Sequence, residues 1–223
     1  MNAWSKLGAA VFLACAALSA QAGEIPQSAT LKYSGSYGIP ATMTFKRSGS
    51  SYTVSANINV PLYKIRFESG GTIVGNQLKP SYYRDVRNGK VYASAQFGGG
   101  KATYGRAGDV HTEAVAGSVM DLFTLSWQLA FNDGKLPAGL KITNGKKLYN
   151  VGGMRPAGSK TISIAGGKTQ INQFTVQRGD DTVNYAFAPA LGNVPAVINY
   201  IDGSKKYHLT LKSVSINGQE VKP

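Results

Sequence analysis

The chain has 223 residues, and its 24 Lys and Arg outnumber its 11 Asp and Glu, which gives a formal net charge of +13. Gly is frequent without a fixed period and apolar residues are spread along the chain, so collagens, coiled coils and disordered polyampholytes are excluded. One Cys excludes an intramolecular disulfide framework, and two His residues argue against a structural zinc site.

The first 22 residues have the pattern of a secretory signal peptide. Lys6 precedes an apolar run from Leu7 to Leu18, and Ala20 and Ala22 form a small-x-small cleavage site. The run falls short of the ~20 apolar residues that a bilayer-spanning helix needs. We therefore predict a signal peptide over residues 1–22, cleavage after Ala22, a periplasmic location, and membrane contact that is at most peripheral.

A lipoprotein signal with acylation of Cys15 is the alternative for this segment. Phe12 is a poor occupant of the Leu-like position of that motif, so the alternative is disfavoured. Cleavage after Ala22 removes Lys6 and the only Cys, and leaves 201 residues with a net charge of +12. A chain without Cys is compatible with an oxidising compartment.

From Leu31 onward, apolar residues recur with the period of two that is typical of half-buried strands. Leu31, Tyr33 and Tyr37 share one parity, and the cleanest apolar face runs from Tyr52 to Val60. A change of parity after Leu211 predicts a β-bulge near Lys212. Turns typical of hairpins separate the runs, and they are Asn88-Gly89, Gly98 to Gly100, Asn144-Gly145, Gly166-Gly167, Asp180-Asp181 and Asp202-Gly203.

One segment has helical periodicity instead. Ser118 to Asp121 has the form of a capping box, and apolar residues at 119, 122, 123, 127, 130 and 131 share one face. We predict a helix over about residues 119–131 that packs on the sheet or across a barrel mouth. The predicted fold class is all-β with one helix.

No linker, repeat or change of composition divides the chain after the signal peptide. Residues 23–223 are therefore predicted to form one domain, built on a single antiparallel, strongly curved sheet or a barrel-like sheet. An outer-membrane barrel also has many alternating strands, but the short segments and the charges on both faces argue against it. Oligomeric state stays open.

Ten basic residues lie in or beside the predicted turns. One interpretation is a role in solubility, because Lys at exposed hairpin tips prevents sheet edges from associating. The other is a positive field that attracts an anionic envelope component, such as lipid head groups, lipopolysaccharide phosphates or an acidic polymer. No nucleic-acid-binding motif accompanies the charge, so nucleic acid is not a predicted partner. The ten are Arg47, Arg87, Lys90, Lys101, Lys146, Lys147, Lys168, Arg178, Lys205 and Lys206.

The two His residues offer little for catalysis. His111 and His208 are far apart in the sequence, and no Gly-x-Ser-x-Gly motif accompanies them. Asp109 and Glu113 alternate with His111 on a predicted strand and could approach a metal with it, but a fourth ligand is missing from the pattern. His208 is better interpreted as the outward-facing residue of a strand.

The acidic residues are scattered, so they nominate no carboxylate pair for glycoside hydrolysis. Asp85, Asp180 and Asp181 stay open as candidates, although the last two fit a turn better. We predict no catalytic residue, no metal ligand and no cofactor, and we predict that the protein is not an enzyme.

Several short motifs extend from about residue 30 to residue 216. They are Tyr33 before Gly38-Ile39-Pro40, Ser69-x-Gly71-x-Ile73 before Leu78-x-Pro80, Asp121-x-x-Thr124 before Gln128-Leu129, and Val194-Pro195 before Asp202-Gly203 and Leu209 to Leu211. Together they resemble a family of exported bacterial proteins known only as domain of unknown function 3108. The resemblance implies an all-β, barrel-like envelope protein with one helix, distantly similar to the half-barrel carriers that hold lipoprotein acyl chains. It implies no catalytic residue.

These observations favour a periplasmic, non-enzymatic binding protein for an amphiphilic or anionic envelope component, with the helix as a possible lid. A protein of envelope assembly without a small ligand is the alternative, and a hydrolase of envelope polymers is a less favoured one. We expect the ligand on the concave face of the sheet. The candidate ligand-binding residues are Tyr52, Val54, Ile58, Phe67, Tyr185 and Phe187.

Overall fold

A computed structural model describes residues 25–132, 134–202 and 205–223. The predicted signal peptide with its cleavage site, Cys15 and Gly203 lie outside these residues. The described residues form sixteen strands, one α-helix and two short 3₁₀ turns, Ser36–Gly38 and Pro189–Leu191. The helix, α1, runs from Leu122 to Phe131.

The first half of the chain contributes nine strands: β1 Ser28–Gly35, β2 Pro40–Ser48, β3 Ser51–Val60, β4 Tyr63–Val74, β5 Gln77–Arg87, β6 Lys90–Gly98, β7 Lys101–Arg106, β8 Asp109–Ala114 and β9 Val119–Met120. The second half, after α1, contributes seven: β10 Lys141–Thr143, β11 Leu148–Ile164, β12 Gly167–Arg178, β13 Asp181–Ala188, β14 Val194–Asp202, β15 Lys205–Ile216 and β16 Gln219–Val221.

The strands form one sheet that is curved but not closed, in the order β8-β7-β6-β5-β4-β3-β2-β1-β15-β14-β13-β12-β11-β10-β9, with β16 paired to β15. The sheet is therefore two runs of sequential hairpins, joined where β1 pairs with β15. Neighbouring strands are antiparallel except β9 and β10, which are parallel. The predicted fold class, all-β with one helix on a strongly curved antiparallel sheet, is confirmed.

The period of two accounts for the pairing in detail. Tyr52, Val54, Ala56 and Ile58 are buried on one face of β3, as their alternation predicts. Lys212 is skipped in the register of β1 with β15, where Lys32 pairs with Ser213 and Tyr33 with Leu211, so the predicted bulge is confirmed.

Five of the six predicted hairpin turns connect adjacent strands as expected, and the sixth, at Asp202-Gly203, extends beyond the described residues. Tyr37 does not follow the predicted parity. It lies in the turn after β1 with φ of 58° and is fully exposed. The alternation ends before it, because the strand ends at Gly35.

The helix begins three residues later than predicted. Residues 119 and 120 form the short strand β9, and Asp121, not Ser118, is the N-cap of α1. All ten residues of α1 are buried. The helix contacts β3 and β5 on one side and β14 on the other, so it lies inside the curved sheet and not across its mouth as a lid.

The antiparallel order defines two ends of the sheet. We call the end where α1 begins the upper end, and its loops are 36–39, 61–62, 88–89, 107–108, 144–147 and 179–180. The lower end has the loops 49–50, 75–76, 99–100, 165–166, 189–193 and 217–218. Hydrogen bonds to the last turn of α1 come from Asn76 and Asn193, both at the lower end.

The concave side is tightly packed around the second half of the helix. The ring centroids of Phe45 and Trp127 are 5.3 Å apart, and those of Phe45 and Phe131 are 5.2 Å apart. Tyr52 stacks on Phe45 from the neighbouring strand. This aromatic cluster fills the lower part of the sheet and carries the apolar burial that fixes α1 in place.

Candidate functional site

The start of α1 is fixed to the sheet by a chain of buried polar groups. The Asp121 carboxylate accepts hydrogen bonds from the backbone N–H groups of Phe123 (2.9 Å) and Thr124 (3.2 Å), as an N-cap does. The Thr124 hydroxyl also donates to Asp121 (2.5 Å) and is hydrogen-bonded to the Ser69 hydroxyl on β4. Because each group has a partner, the helix start is held without an unpaired buried charge.

The middle of α1 is fixed in the same way by Gln128. Its side-chain oxygen accepts from the Leu78 backbone N–H (2.6 Å), and its amide nitrogen donates to the Asn76 carbonyl (3.0 Å). At Gly71 a Cβ atom would lie 2.0 Å from the Lys79 carbonyl oxygen, so only Gly fits this close approach of β4 and β5. The two central sequence motifs, Ser69 to Pro80 and Asp121 to Leu129, therefore meet at the contact between helix and sheet.

Above the helix start lies an inner cavity of about 210 Å³ that opens toward the upper end of the sheet. It is lined by charged residues, by tyrosines and by the first turn of α1. The lining residues on which the argument depends are Phe67, Tyr83, Asp85, Arg87, Asp121, Lys146 and Arg178.

Asp85 and Arg87 form a two-pronged ion pair in this wall. The Arg87 Nε atom is 3.1 Å from Asp85 Oδ1, and Arg87 Nη2 is 2.8 Å from Asp85 Oδ2. Burial alone would lower the pKa of Arg87, but its hydrogen bonds and charge attraction to Asp85 outweigh that effect and raise it above the ordinary value. The Asp85 charge is thus compensated within the wall.

Arg178 is a less completely paired cation in the same wall. Its side chain is only 2% exposed, and its Nη2 atom donates to the Ile201 carbonyl and lies 3.6 Å from Asp181 Oδ2. Its guanidinium lies over the Tyr149 ring, 4.8 Å from the centroid. Among the described residues, its buried Nε atom has no hydrogen-bond acceptor. A buried donor of this kind is costly, so an acceptor that enters the cavity would be bound favourably.

An outer groove of about 530 Å³ adjoins the inner cavity. The two share Ile58, Ile65, Tyr200 and Tyr207 as lining residues. The rest of the groove is mainly apolar, with Tyr37 at its rim. The further lining residues that matter here are Ile39, Val60, Lys206, His208 and Leu209.

The buried tyrosines at this end stay protonated at neutral pH. Burial raises the pKa of Tyr83 well above its ordinary value, and the charges of Asp121 and Asp85 raise it further. Burial and then Asp121 raise the pKa of Tyr185, whose hydroxyl donates to the Leu122 carbonyl (2.9 Å). These hydroxyls are neutral hydrogen-bonding groups beside the cavity.

The sequence-predicted basic turn residues are distributed unevenly between the two ends. Three of the ten lie at the lower end, namely Arg47, Lys101 and Lys168. The other seven lie at the upper end, where both cavities open: Arg87, Lys90, Lys146, Lys147, Arg178, Lys205 and Lys206. The expectation that hairpin-tip cations are solvent-exposed is wrong for Arg178, because β12 extends as far as this residue and the Tyr149 ring covers its guanidinium.

The six candidate ligand-binding residues are divided by the helix. Ile58 and Phe67 line the cavities, and Phe67 stacks on Phe123 with ring centroids 5.3 Å apart. Tyr185 is buried beneath the first turn of α1. The other three, Tyr52, Val54 and Phe187, are at most 2% exposed in the packed core.

His111 and His208 lie on strands that are not neighbours in the sheet, β8 and β15. His111 Nε2 is 3.0 Å from Asp109 Oδ1, whereas Glu113 accepts a hydrogen bond from the Tyr104 hydroxyl. Within residues 25–132, 134–202 and 205–223, no group of three His, Cys, Asp or Glu residues could hold a metal ion. His208 is exposed, as predicted, and its ring is hydrogen-bonded to Asn199 and Thr210.

Sequence reasoning missed that Asp85, Asp121 and Arg178 face one cavity. The parity of the strands was the available signal, since Asp85 alternates with inward-facing Tyr83 and Arg178 with inward-facing Val176. The covering helix could not be placed by parity, so the cavity itself was not predictable.

No helix among the described residues has the length and apolar character to cross a membrane.

Comparisons with known proteins place the chain in a family. A crystal structure described as a beta-barrel-like protein of domain of unknown function DUF1849, from Brucella abortus, matches 87% of this chain and 99% of its own, with 11% identity and a TM-score of 0.48. No curated protein matches the chain. A family model described as "Protein of unknown function (DUF3108)" matches residues 30–210. Because this match covers most of the chain and agrees with the motifs of the sequence, the chain belongs to the DUF3108 family.

Proposed function

We propose that the chain is a non-enzymatic binding protein of the periplasm that holds a single-chain amphiphile with an anionic head group. The observation that carries this proposal is the direct contact between an apolar groove and a smaller, charged cavity. A molecule with an apolar chain and a charged end would fill both. The periplasmic location depends on the predicted signal peptide.

The size of the groove favours one acyl chain. Its volume of about 530 Å³ is within the range of ordinary small-molecule sites. It is roughly three to four times the ~150 Å³ cavity that holds one benzene molecule. A lipid with several chains would exceed it, and an acidic polymer would leave the apolar walls in contact with water. The proposal therefore selects a single-chain amphiphile among the envelope components considered.

The charges of the inner cavity favour an anionic head. The carboxylates of Asp85 and Asp121 already accept hydrogen bonds from Arg87 and from the start of α1. Arg178 keeps a buried Nε donor that has no acceptor among the residues that the structure describes, and Lys146 also lines the cavity. An anionic head would supply the acceptor, and charge-assisted hydrogen bonds of this kind are the stronger ones. With both carboxylates engaged in structural contacts, the cavity suits binding better than acid-base chemistry.

The test is a binding titration with defined probes. We expect a fluorescent long-chain fatty acid to bind, and the fatty alcohol of equal chain length to bind about tenfold more weakly, because it lacks the charge that Arg178 would meet. Arg178→Met should remove this preference for the acid. Val60→Trp should fill the groove and weaken both probes about tenfold or more.

Asn59→Trp is the matched control for the groove variant. Asn59 precedes Val60 on β3 and is exposed on the opposite face, so the same bulk there should leave binding unchanged. Equal affinity of the wild type for acid and alcohol would contradict the anionic head. Unchanged binding in Val60→Trp would contradict the groove as the site.

A further inference from the structure

Exposed apolar side chains concentrate at one end of the sheet. Among the described residues, six large hydrophobic side chains are exposed, and five of them lie in or beside upper-end loops: Tyr37, Leu62, Tyr63, Val91 and Val110. The sixth, Val74, lies at the lower end. Tyr37 and Leu62 are fully exposed, at 101% and 103% of the reference area. Single exposed apolar residues are ordinary, but such clustering at the end where the cavities open is not.

The two most exposed residues also have an unfavourable backbone. Tyr37 has φ of 58° and Leu62 has φ of 62°, in the left-handed region that Gly or Asn normally occupies. Pro61 fixes the preceding φ, so residues 60–63 have the form of a type II turn, whose third position favours Gly. Since neither side chain is buried, packing within the chain does not explain why a bulky residue stands at these positions. Strain of this kind is typical of functional positions.

The loops that carry Tyr37 and Leu62 are held in place by the strands around them. The Asn88 side chain accepts a hydrogen bond from the Lys64 backbone N–H (2.8 Å), which joins the second loop to the next hairpin. The Ser36 hydroxyl accepts from the His208 N–H (3.1 Å). With two strand spacings between their hairpins, the tips are about 10 Å apart along the sheet edge.

Basic residues surround these tips. Lys64, Lys90 and Lys206 are exposed beside loops 61–62, 88–89 and 36–39. Residues 36–39, 61–64 and 88–90 contain no acidic residue. Asp109 and Asp180 are exposed acids of the upper end, Asp181 is half-exposed, and all three lie in or beside the more distant loops 107–108 and 179–180. Asp202 ends β14 beside Lys205 and Lys206, which outnumber it. The tips with Tyr37 and Leu62 are therefore positively charged.

We propose that the upper end docks on an anionic bilayer, with Tyr37 and Leu62 in the interface and Lys64, Lys90 and Lys206 among the head groups. Tyr is enriched at membrane interfaces, and separate apolar side chains with neighbouring Lys residues are the combination that such surfaces bind. A protein partner would be favoured by one flat apolar patch, whereas these side chains project from separate hairpin tips. Docking goes beyond the proposed function, because it does not depend on occupancy of the cavities.

The decisive variants keep the fold and change only the tips. Tyr37→Gly and Leu62→Gly remove an exposed side chain and relieve a left-handed φ, so each should raise Tm, by about 2–4 °C. The same substitutions should weaken binding to vesicles of phosphatidylethanolamine and phosphatidylglycerol, by about tenfold each, measured by co-sedimentation. Greater stability with weaker binding is a result that misfolding cannot produce.

Three controls separate docking from ligand binding and from general charge. Val74→Gly at the lower end should leave vesicle binding unchanged, and so should the groove variant Val60→Trp. Lys64→Gln with Lys206→Gln should weaken binding and its dependence on salt, whereas Lys101→Gln with Lys168→Gln should not. All proteins are compared from residue 23 onward, since the apolar run 7–18 would itself bind lipid and the described core begins at Ile25.

If the protein binds vesicles of phosphatidylcholine alone as tightly as the anionic vesicles, the proposal that it requires an anionic surface is wrong. Unchanged binding to the anionic vesicles in the Tyr37→Gly, Leu62→Gly double variant would overturn docking altogether, and would leave a protein as the partner of these tips. A loss of vesicle binding in Val60→Trp would show that lipid enters the groove instead of contacting the tips, which also contradicts the proposal.

Discussion

The two halves of the concave side have the same sheet and the same helix, yet they are built differently. In the lower half, Phe45, Trp127 and Phe131 pack with ring centroids 5.2–5.5 Å apart. In the upper half, the first turn of α1 faces the inner cavity, which adjoins the outer groove and is also lined by the charged residues Asp85 and Arg178. The lower half therefore supplies most of the apolar packing of the fold, and the upper half carries open space and charged groups that apolar packing does not require.

This division explains how one buried helix can serve both halves. The last two turns of α1 contribute apolar area, while its first turn contributes a capped N-terminus beside the inner cavity. Gln128 accepts a hydrogen bond from the Leu78 N–H and donates one to the Asn76 carbonyl, so it fixes the later part of α1 to the lower end of β5. Changes in the upper half should thus affect binding more than folding, and changes in the lower half the reverse.

The largest expected effect comes from identical truncations in the two halves. Ile171 is fully buried on β12, below the level of the cavities, and Ile65 is half-buried at the boundary of the cavities. Ile171→Ala should lower the free energy of unfolding by about 3–4 kcal/mol, and Ile65→Ala by about 1 kcal/mol, because Ile65 borders space that is already empty. Urea denaturation measures both, and equal losses would refute the division into halves.

A middle-sized effect separates the two arginines of the inner cavity. Arg87→Met leaves the buried Asp85 carboxylate without its partner, so it should cost about 2–3 kcal/mol, somewhat less than for a fully buried pair. Arg178→Met removes a cation whose Nε donor has no acceptor in the described part of the chain, and whose ion pair with the half-exposed Asp181 is long at 3.6 Å. Its cost should therefore stay within about 1 kcal/mol of zero. Thermal and urea unfolding of the two variants provide the comparison.

The double variant Arg87→Met, Asp85→Leu is the control for this interpretation. With both charges removed, no unpaired group stays buried, and most of the lost stability should return. If the double variant is as unstable as Arg87→Met alone, the cost arises from lost packing of the Arg87 guanidinium on the Tyr92 ring. The Arg87 Cζ atom lies 3.7 Å from the centroid of that ring.

Much of the lower half could be predicted from sequence because local rules govern it. Alternation from Tyr52 to Ile58 fixes which side of β3 is inward, and a change of parity locates the bulge at Lys212. The pairing of β1 with β15 joins residues more than 170 positions apart, and no local pattern specifies it. The start of α1 was misplaced because Ser118 and Asp121 both suit an N-cap, and only the parallel pairing of β9 with β10 decides between them.

The upper half was less predictable because its residues depart from the rules that serve prediction. Arg178 is the last residue of β12 and is buried, although charged residues are rare in protein interiors. Its position next to a predicted turn instead suggests that it is exposed to solvent. Tyr37 and Leu62 occupy backbone conformations in which Gly is expected. Departures from local sequence rules concentrate at functional sites, so these three residues point to the upper half as the functional region.

The smallest expected effect concerns one tyrosine from each half at alkaline pH. Burial raises the pKa of both Tyr52 and Tyr83 above the ordinary value, with a further increase from Asp121. The unfolded chain loses these protons near pH ~10, while the folded chain keeps them. Above that pH the unfolded state binds fewer protons, so stability is fully present below pH ~10 and falls as pH rises through it.

Above pH ~10, the slope of the free energy of unfolding against pH measures the difference in bound protons between the two states. Tyr52→Phe and Tyr83→Phe should each reduce that difference by up to about one proton. Tyr52 has a buried hydroxyl without a partner among the described residues, so Tyr52→Phe should also be neutral or stabilising at pH ~7, by up to about 1 kcal/mol. Urea unfolding at a series of pH values measures both quantities. An unchanged slope in Tyr83→Phe, with a flattened slope in Tyr52→Phe, would mean that water reaches Tyr83 through the inner cavity and that the upper half is more open than its burial indicates.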